Sequence, residues 1–257
     1  YGVARDTPVG TNVAEIVGIR KYEPAMRSSA GDAMEDSPLF PKYTNIENLR
    51  NYPAIFEEYE PVYLVQKIHG TNCRVGMIEG EWMAGSHGLR RKNPATGDGN
   101  WEKRWASNTY WHPLALLPVR TMIRAIAAEG HKQVVLFGEV YGNVQKKYNY
   151  GVPNGINFRA FDLLIDGKYT DFEDFLDITK SYDVPVAIPL DKIAYSYQDV
   201  VNIAEGFDKD PLGEHPLEGV IVRPATERED RRVGRVILKY LTNTYLFDKG
   251  NVDTTDR

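Results

Sequence analysis

Four charged residues stand against apolar, strand-like runs. Lys67 follows the run Val62–Val65 after one intervening residue, Gln66. Glu139 sits inside FGEVYG (137–142), Glu218 opens EGVIVRP (218–224), and Lys239 sits inside VILKYL (236–241). Strand alternation lets one face carry such groups while the other packs. Each alone reads as a group turned to water from a half-exposed strand. Two lysines and two glutamates in the same apolar setting point to a shared polar cleft. A lysine that is partly desolvated or beside other cations loses proton affinity and becomes nucleophilic. Glutamates can hold Mg²⁺ through hard carboxylate oxygens. A second lysine neutralises phosphate oxygens. Together these parts suit attack on a nucleotide phosphate, where positioning and charge neutralisation do most of the work.

The elements that must position these groups are strands interleaved irregularly with helices. The pattern predicts strands over 62–66, 134–140, 156–166, 219–224 and 235–241. It also predicts a hairpin of 73–78 with 81–84 around Glu79-Gly80. A helix is expected at 118–129, with Pro118 at its start, Val119, Met122, Ile123 and Ile126 on one face, and Gly130 as its stop. Further helices are expected at 171–181 and 197–205, and a short one near 48–52. The fold class is α+β with mostly antiparallel sheets.

The chain has 257 residues and 42% hydrophobic composition, enough for a substantial core in one or two domains. No apolar run reaches the roughly 18 residues of a membrane span, and the N-terminus lacks the pattern of a secretory signal. One cysteine, Cys73, excludes an internal disulfide framework and fits an intracellular, reducing compartment. The net charge is −5, but a basic groove can sit on an acidic body. Local basic clusters occur at Arg90–Lys92, Lys103-Arg104, Lys146-Lys147 and Arg231-Arg232.

The motifs resemble those of the covalent nucleotidyltransferases, the superfamily of polynucleotide ligases and mRNA capping enzymes. KIHGTN (67–72) resembles the lysine motif K-x-D/H-G in its RNA ligase version. GSHGLRR (85–91), FGEVYG (137–142), FRAFD (158–162), LEGVIVRP (217–224) and VILKYL (236–241) resemble the motifs that follow, in family order. The nearest likeness is to RNA ligases of the second phage type and to RNA-editing ligases. It implies an adenylation domain of mainly antiparallel sheets flanked by helices, with an ATP cleft between the sheets. It also implies ATP as AMP donor, Mg²⁺ or Mn²⁺, and RNA with 5′-phosphate and 3′-hydroxyl ends. Lys67 would be the nucleophile, and Lys239 would hold the α-phosphate. Gln66, Ile68, Asn72, Arg90, Glu139 and Phe158 would contact the nucleotide, Phe158 by stacking on adenine. Glu218, and Glu139 through water, would serve the metal. Gly70 would let the backbone turn after the nucleophile.

Three features depart from the family pattern. Gln66 replaces a glutamate that often precedes the lysine. Ile237 occupies the first slot of a K-x-K pair, and Arg235, with the same strand parity, is the candidate to compensate. Little sequence follows Leu246. Residues 1–31 read as an N-terminal segment and linker before a nucleotidyltransferase domain over 32–257. Within that segment, 11–24 resembles the junction after an OB-type domain, which implies such a domain upstream of Tyr1. A DNA ligase or a GTP-using capping enzyme is the alternative, against which His69 argues. A non-catalytic RNA-binding homologue is the alternative from a different class.

Other motifs are silent. The histidines have no zinc spacing, and no G-x-x-x-x-G-K-[ST] occurs. WEKRWASNTYWHP (101–113) mixes tryptophans with basic residues. It reads as a local core with snorkelling stems, with base stacking as the alternative.

Overall fold

The computed structural model describes residues 32–95, 99–145 and 148–247. The N-terminal segment 1–31 and the Lys146-Lys147 pair lie outside these residues. In chain order the strands are β1 (Ala33–Met34), β2 (Glu47–Asn48), β3 (Pro61–Gln66), β4 (Thr71–Ile78), β5 (Glu81–Ser86), β6 (Arg90–Arg91) and β7 (Gln133–Gly142). They continue as β8 (Ile156–Ile165), β9 (Lys168–Tyr169), β10 (Pro189–Ala194), β11 (Gly219–Pro224), β12 (Glu229–Asp230), β13 (Gly234–Arg235) and β14 (Leu238–Leu241). The helices are α1 (Trp101–Ser107), α2 (His112–Ala115), α3 (Leu117–Ala128), α4 (Phe172–Ser181), α5 (Tyr197–Glu205) and α6 (Asn243–Phe247).

Two sheets organise the molecule. The first runs β1-β6-β5-β4-β7-β8-β9 and the second β10-β3-β11-β14-β2. Every pairing in them is antiparallel except β14 with β2. The β4–β5 hairpin turns at Glu79 (φ 49°) and Gly80 (φ 85°). Positive φ at both central residues matches the right-handed twist of the flanking strands.

Alternation divides the side chains cleanly. On the first sheet Cys73, Val75, Val134, Leu136, Phe158 and Ala160 pack with α3, whose Val119, Met122 and Ile123 are fully buried. Gly138 lies on that face, and a Cβ there would collide with the Phe158 ring. The opposite face presents Val135 and Phe137, which meet Tyr43 and Ile237. On the second sheet Val62, Leu64, Val220 and Val222 pack with Val200 and Ala204 of α5. Tyr63 and Val65 belong to the core shared with the first sheet.

The tryptophan-rich segment forms α1 and α2. Trp105 and Trp111 are buried, with ring centroids 5.3 Å apart. Arg120 lies over Trp101 and Arg124 over Trp82. This is a local core with cationic stems across its edge. No helix among the described residues is long and apolar enough to cross a membrane.

Candidate active site

A cleft of about 460 Å³ opens between the sheets, lined from both. That volume suits a nucleotide-sized ligand. Lys67, Ile68, Asn72, Glu139 and Lys239 all line it. Lys67 leaves the end of β3, and Lys239 comes from β14 two strands away. Asn72 on β4 stands opposite Glu139 on β7, and its Oδ1 is buried without a partner. The second sheet contributes the cations and the first sheet contributes the acid.

Lys67 donates to Glu218 (Nζ to Oε1, 2.6 Å). Glu218 is 1% exposed, and its second oxygen has no hydrogen-bond partner. Burial raises the pKa of a carboxylate. Here the Lys67 ammonium and His69 outweigh that, and the Glu218 pKa falls below its ordinary value. Glu139 shows the opposite balance. Burial dominates, with Glu218 adding repulsion against the relief from Lys67, and its pKa is pushed up to about 8. The two buried carboxylates are therefore shifted in opposite directions, Glu218 by its direct partners and Glu139 by burial.

The glycine after the nucleophile has a different purpose from the expected turn. The φ of Gly70 is not positive. A Cβ there would instead meet the Val140 carbonyl and lie 2.9 Å from Glu139 Cγ. The lysine loop and β7 thus touch backbone to backbone. Gln145 fixes that loop from the other side by donating to Gly70 O at 2.9 Å.

Several expectations need correction. Phe158 does not reach the cleft. It is fully buried on the α3 face. Phe161, three residues on and of opposite parity, lines the cleft instead. It is the extra residue of a β-bulge, because Phe137 pairs with Asp162 and Gly138 with Ala160. Gln66 lines the cleft, but its carboxamide is already bound. Its Nε2 donates to Asp210 Oδ1 at 2.6 Å. Arg90 is not among the cleft-lining residues, since β6 lies one strand further out; Ser86, His87 and Gly88 of its motif line the wall.

Arg235 does not replace the missing lysine either. The strand expected over 235–241 breaks at Val236-Ile237, so parity is not carried through. The guanidinium binds Asp162 (2.6 Å) and Glu227 (2.6 Å) instead. Ile237 presents an apolar side chain to the cleft.

Sequence reasoning missed the cleft floor. Asp162, fully buried, accepts from Tyr43 Oη at 2.8 Å and pairs with Arg223 (3.3 Å) and Arg235. Arg223 and Arg235 also share Glu227. Burial works against the Asp162 carboxylate, but Arg223 and then Arg235 outweigh it and lower its pKa. This cluster ties β8 of one sheet to β11 of the other directly beneath Tyr43 and Phe161, whose ring centroids are 4.9 Å apart. The FRAFD and VIVRP motifs carried the signal, as charges inside apolar runs.

The donor set tests whether a divalent cation fits. Among the described residues, no group of three or more His, Cys, Asp or Glu could hold a metal. Glu218 Oε2 is buried without a hydrogen bond, 3.8 Å from His69 Nδ1, and Glu139 lines the cleft with Lys67, the partner of Glu218. Mg²⁺-like ions take one or two carboxylates and complete their shell with water and substrate phosphate. The site fits such an ion only when polyphosphate is present.

Comparison with known proteins agrees with this geometry. A Naegleria gruberi RNA ligase with PPi matches at 20% identity and a TM-score of 0.66, covering 94% of this chain and 68% of that one. An arginine-to-alanine variant of that ligase with ATP and Mn matches at 19% and 0.66, covering 92% and 67%. A lysine-to-methionine variant with AMP and Mn matches at 19% and 0.66, covering 94% and 68%. Identities this low show the shared fold. A comparison with the curated proteins finds no match. The family model described as RNA ligase matches residues 60–241. That span is well over half of the sequence and holds every cleft-lining lysine and glutamate, so the chain belongs to the RNA ligase family.

Proposed function

We propose that this chain carries the ATP-dependent adenylation centre of an RNA ligase and that Lys67 is its nucleophile. The observation that carries the proposal is Lys67 in the wall of the cleft between the sheets, bonded to Glu218, with Lys239 and Glu139 lining the same cleft. A neutral Lys67 amine, freed from Glu218, attacks the α-phosphate of ATP. The Nζ–Pα bond forms, the bond from Pα to the pyrophosphate oxygen breaks, and AMP stays on the lysine. AMP then passes to a 5′-phosphate end of RNA. A 3′-hydroxyl attacks that activated phosphate and releases AMP.

The residues take their roles from position. Phe161 and Ile237 offer apolar surface to the base, and Glu139 and Asn72 face the sugar. Lys239 faces the α-phosphate, where fixed positive charge lowers the barrier to attack by an amine. Glu218 and Glu139 would hold Mg²⁺ or Mn²⁺, which supplies charge neutralisation at the polyphosphate. The ATP, AMP, PPi and Mn of the Naegleria ligase structures support this assignment.

The test uses 5′-phosphorylated RNA, ATP and Mg²⁺ or Mn²⁺, with products resolved by size. The expected products are 5′-adenylylated RNA and sealed RNA. RNA that stays unmodified while the protein binds it would favour a non-catalytic member of the fold. Sealing of DNA ends alone would refute the RNA assignment.

A further inference from the structure

Gln66, just before Lys67, is bonded to a loop that the catalytic reading leaves unused, and His69, two residues after Lys67, is bonded to a tyrosine that packs on the same loop. That loop, 207–216, connects α5 to β11. On the N-terminal side, Gln66 is 1% exposed and its Nε2 donates to Asp210 Oδ1 at 2.6 Å. On the C-terminal side, the His69 backbone N–H donates to Tyr150 Oη at 2.5 Å. The Tyr150 ring packs edge-on against His215 of the same loop, with centroids 4.4 Å apart. Asp210 and His215 are themselves joined, because Asp210 N–H donates to His215 O at 2.8 Å. Asp210 Oδ1 also accepts from Leu212 N–H at 2.8 Å. The loop is therefore hydrogen-bonded within itself where it meets Gln66.

We propose that Asp210 is a positioning residue for the nucleophile: through the Gln66 carboxamide it fixes the end of β3, and the pair works only as one amide facing one carboxyl. This rests on the reading of Lys67 as the group that becomes adenylylated. A carboxamide facing a carboxyl can exchange two hydrogen bonds. One is formed. The two atoms a second would use, Gln66 Oε1 and Asp210 Oδ2, are both buried without a partner. Burial raises the Asp210 pKa against the hydrogen bonds from Gln66 and Leu212, which lower it. The pairing explains why glutamine stands before the lysine. A glutamate here would set two carboxyls against each other at hydrogen-bond distance, with too few protons to satisfy both.

The experiment compares Gln66→Glu, Asp210→Ala and the exchanged pair Gln66→Glu/Asp210→Asn in the full chain. Lysyl-AMP formation from α-labelled ATP is measured across ATP concentrations, and the melting temperature is recorded for each protein. Each single variant is expected to slow adduct formation at saturating ATP by about ten-fold or more, the effect of leaving one buried partner unsatisfied. Their Tm values should fall by about 4 °C or more. The exchanged pair again sets an amide against a carboxyl, and should return to within about three-fold of the wild-type rate, as coupled sites do. Half-saturating ATP should change less than the rate, because the Gln66 amide is engaged by Asp210.

A Gln66→Glu chain as fast and as stable as wild type would overturn the proposal. So would an exchanged pair no better than Gln66→Glu, or a loss confined to ATP half-saturation, which would make residue 66 a nucleotide contact. If the wild-type chain forms no adduct, the ligase reading has failed, and the melting temperatures still decide whether residues 66 and 210 are a matched pair.

Discussion

Asp162→Asn removes one charge from the floor of the cleft with almost no change in shape. The wild-type carboxylate is fully buried and binds three groups at once: Tyr43 at 2.8 Å, Arg235 at 2.6 Å and Arg223 at 3.3 Å. The Arg223 and Arg235 side chains are 2% and 7% exposed, so water cannot take over the released charge. After the change, two guanidiniums share Glu227 alone, and an amide N–H₂ faces a group that is itself a donor. Breaking a buried ion pair on one side costs about 3–5 kcal/mol. For a domain of this size each kcal/mol moves Tm by roughly 2–4 °C, so the melting temperature should fall by about 6–20 °C. Thermal unfolding by circular dichroism, with denaturant titration at unchanged m-value, measures the loss. Tyr43→Phe, which deletes one hydrogen bond and no charge, should lose only about 1 kcal/mol. An Asp162→Asn protein within about 1 kcal/mol of wild type would refute the reasoning, because it would mean the two arginines find other counter-charges.

Three other perturbations follow from the same geometry. The Asp162 pKa lies below the usual 3.8, so its contribution to stability is complete above that pH and drains away as pH falls below it; Asp162→Asn should flatten this acid limb, and an unchanged limb would count against the cluster. Phe161→Ala should raise half-saturating ATP roughly ten-fold through lost stacking, whereas Phe158→Ala should destabilise the fold by about 3–5 kcal/mol; equal effects on ATP affinity would contradict the parity assignment. Gly70→Ala should press a methyl group against Glu139 Cγ and the Val140 carbonyl, destabilise by about 1–3 kcal/mol and slow adduct formation; an alanine variant with wild-type rate and Tm would show that the close approach does not matter.

Long elements with strong local signals were legible. The helix with Pro118 near its start and Gly130 beyond its end lies within a residue of its expected bounds. The strand 219–224 coincides with β11. The α+β class and the meeting of Lys67, Glu139, Glu218 and Lys239 followed from charges interrupting apolar runs. What escaped depended on partners distant in sequence. β1 and β6 are two-residue strands that exist by pairing with each other and with β5. Phe161 faces the cleft because of a bulge, and a bulge leaves alternation readable only on one side of it. Arg235 lost its parity where the chain breaks at Val236-Ile237. Gln66 was assigned to the nucleotide from the family resemblance; it lines the cleft, but its carboxamide is taken by a partner that sequence spacing does not reveal. Asp210, its actual partner, is 144 residues away.

The central claim is that Lys67 carries AMP. The direct measurement incubates the chain with α-labelled ATP and Mg²⁺ or Mn²⁺, denatures it, and follows label retained on the polypeptide. Wild type should hold an acid-labile adduct, and Lys67→Ala should hold none. Label retained in full by Lys67→Ala would contradict the account.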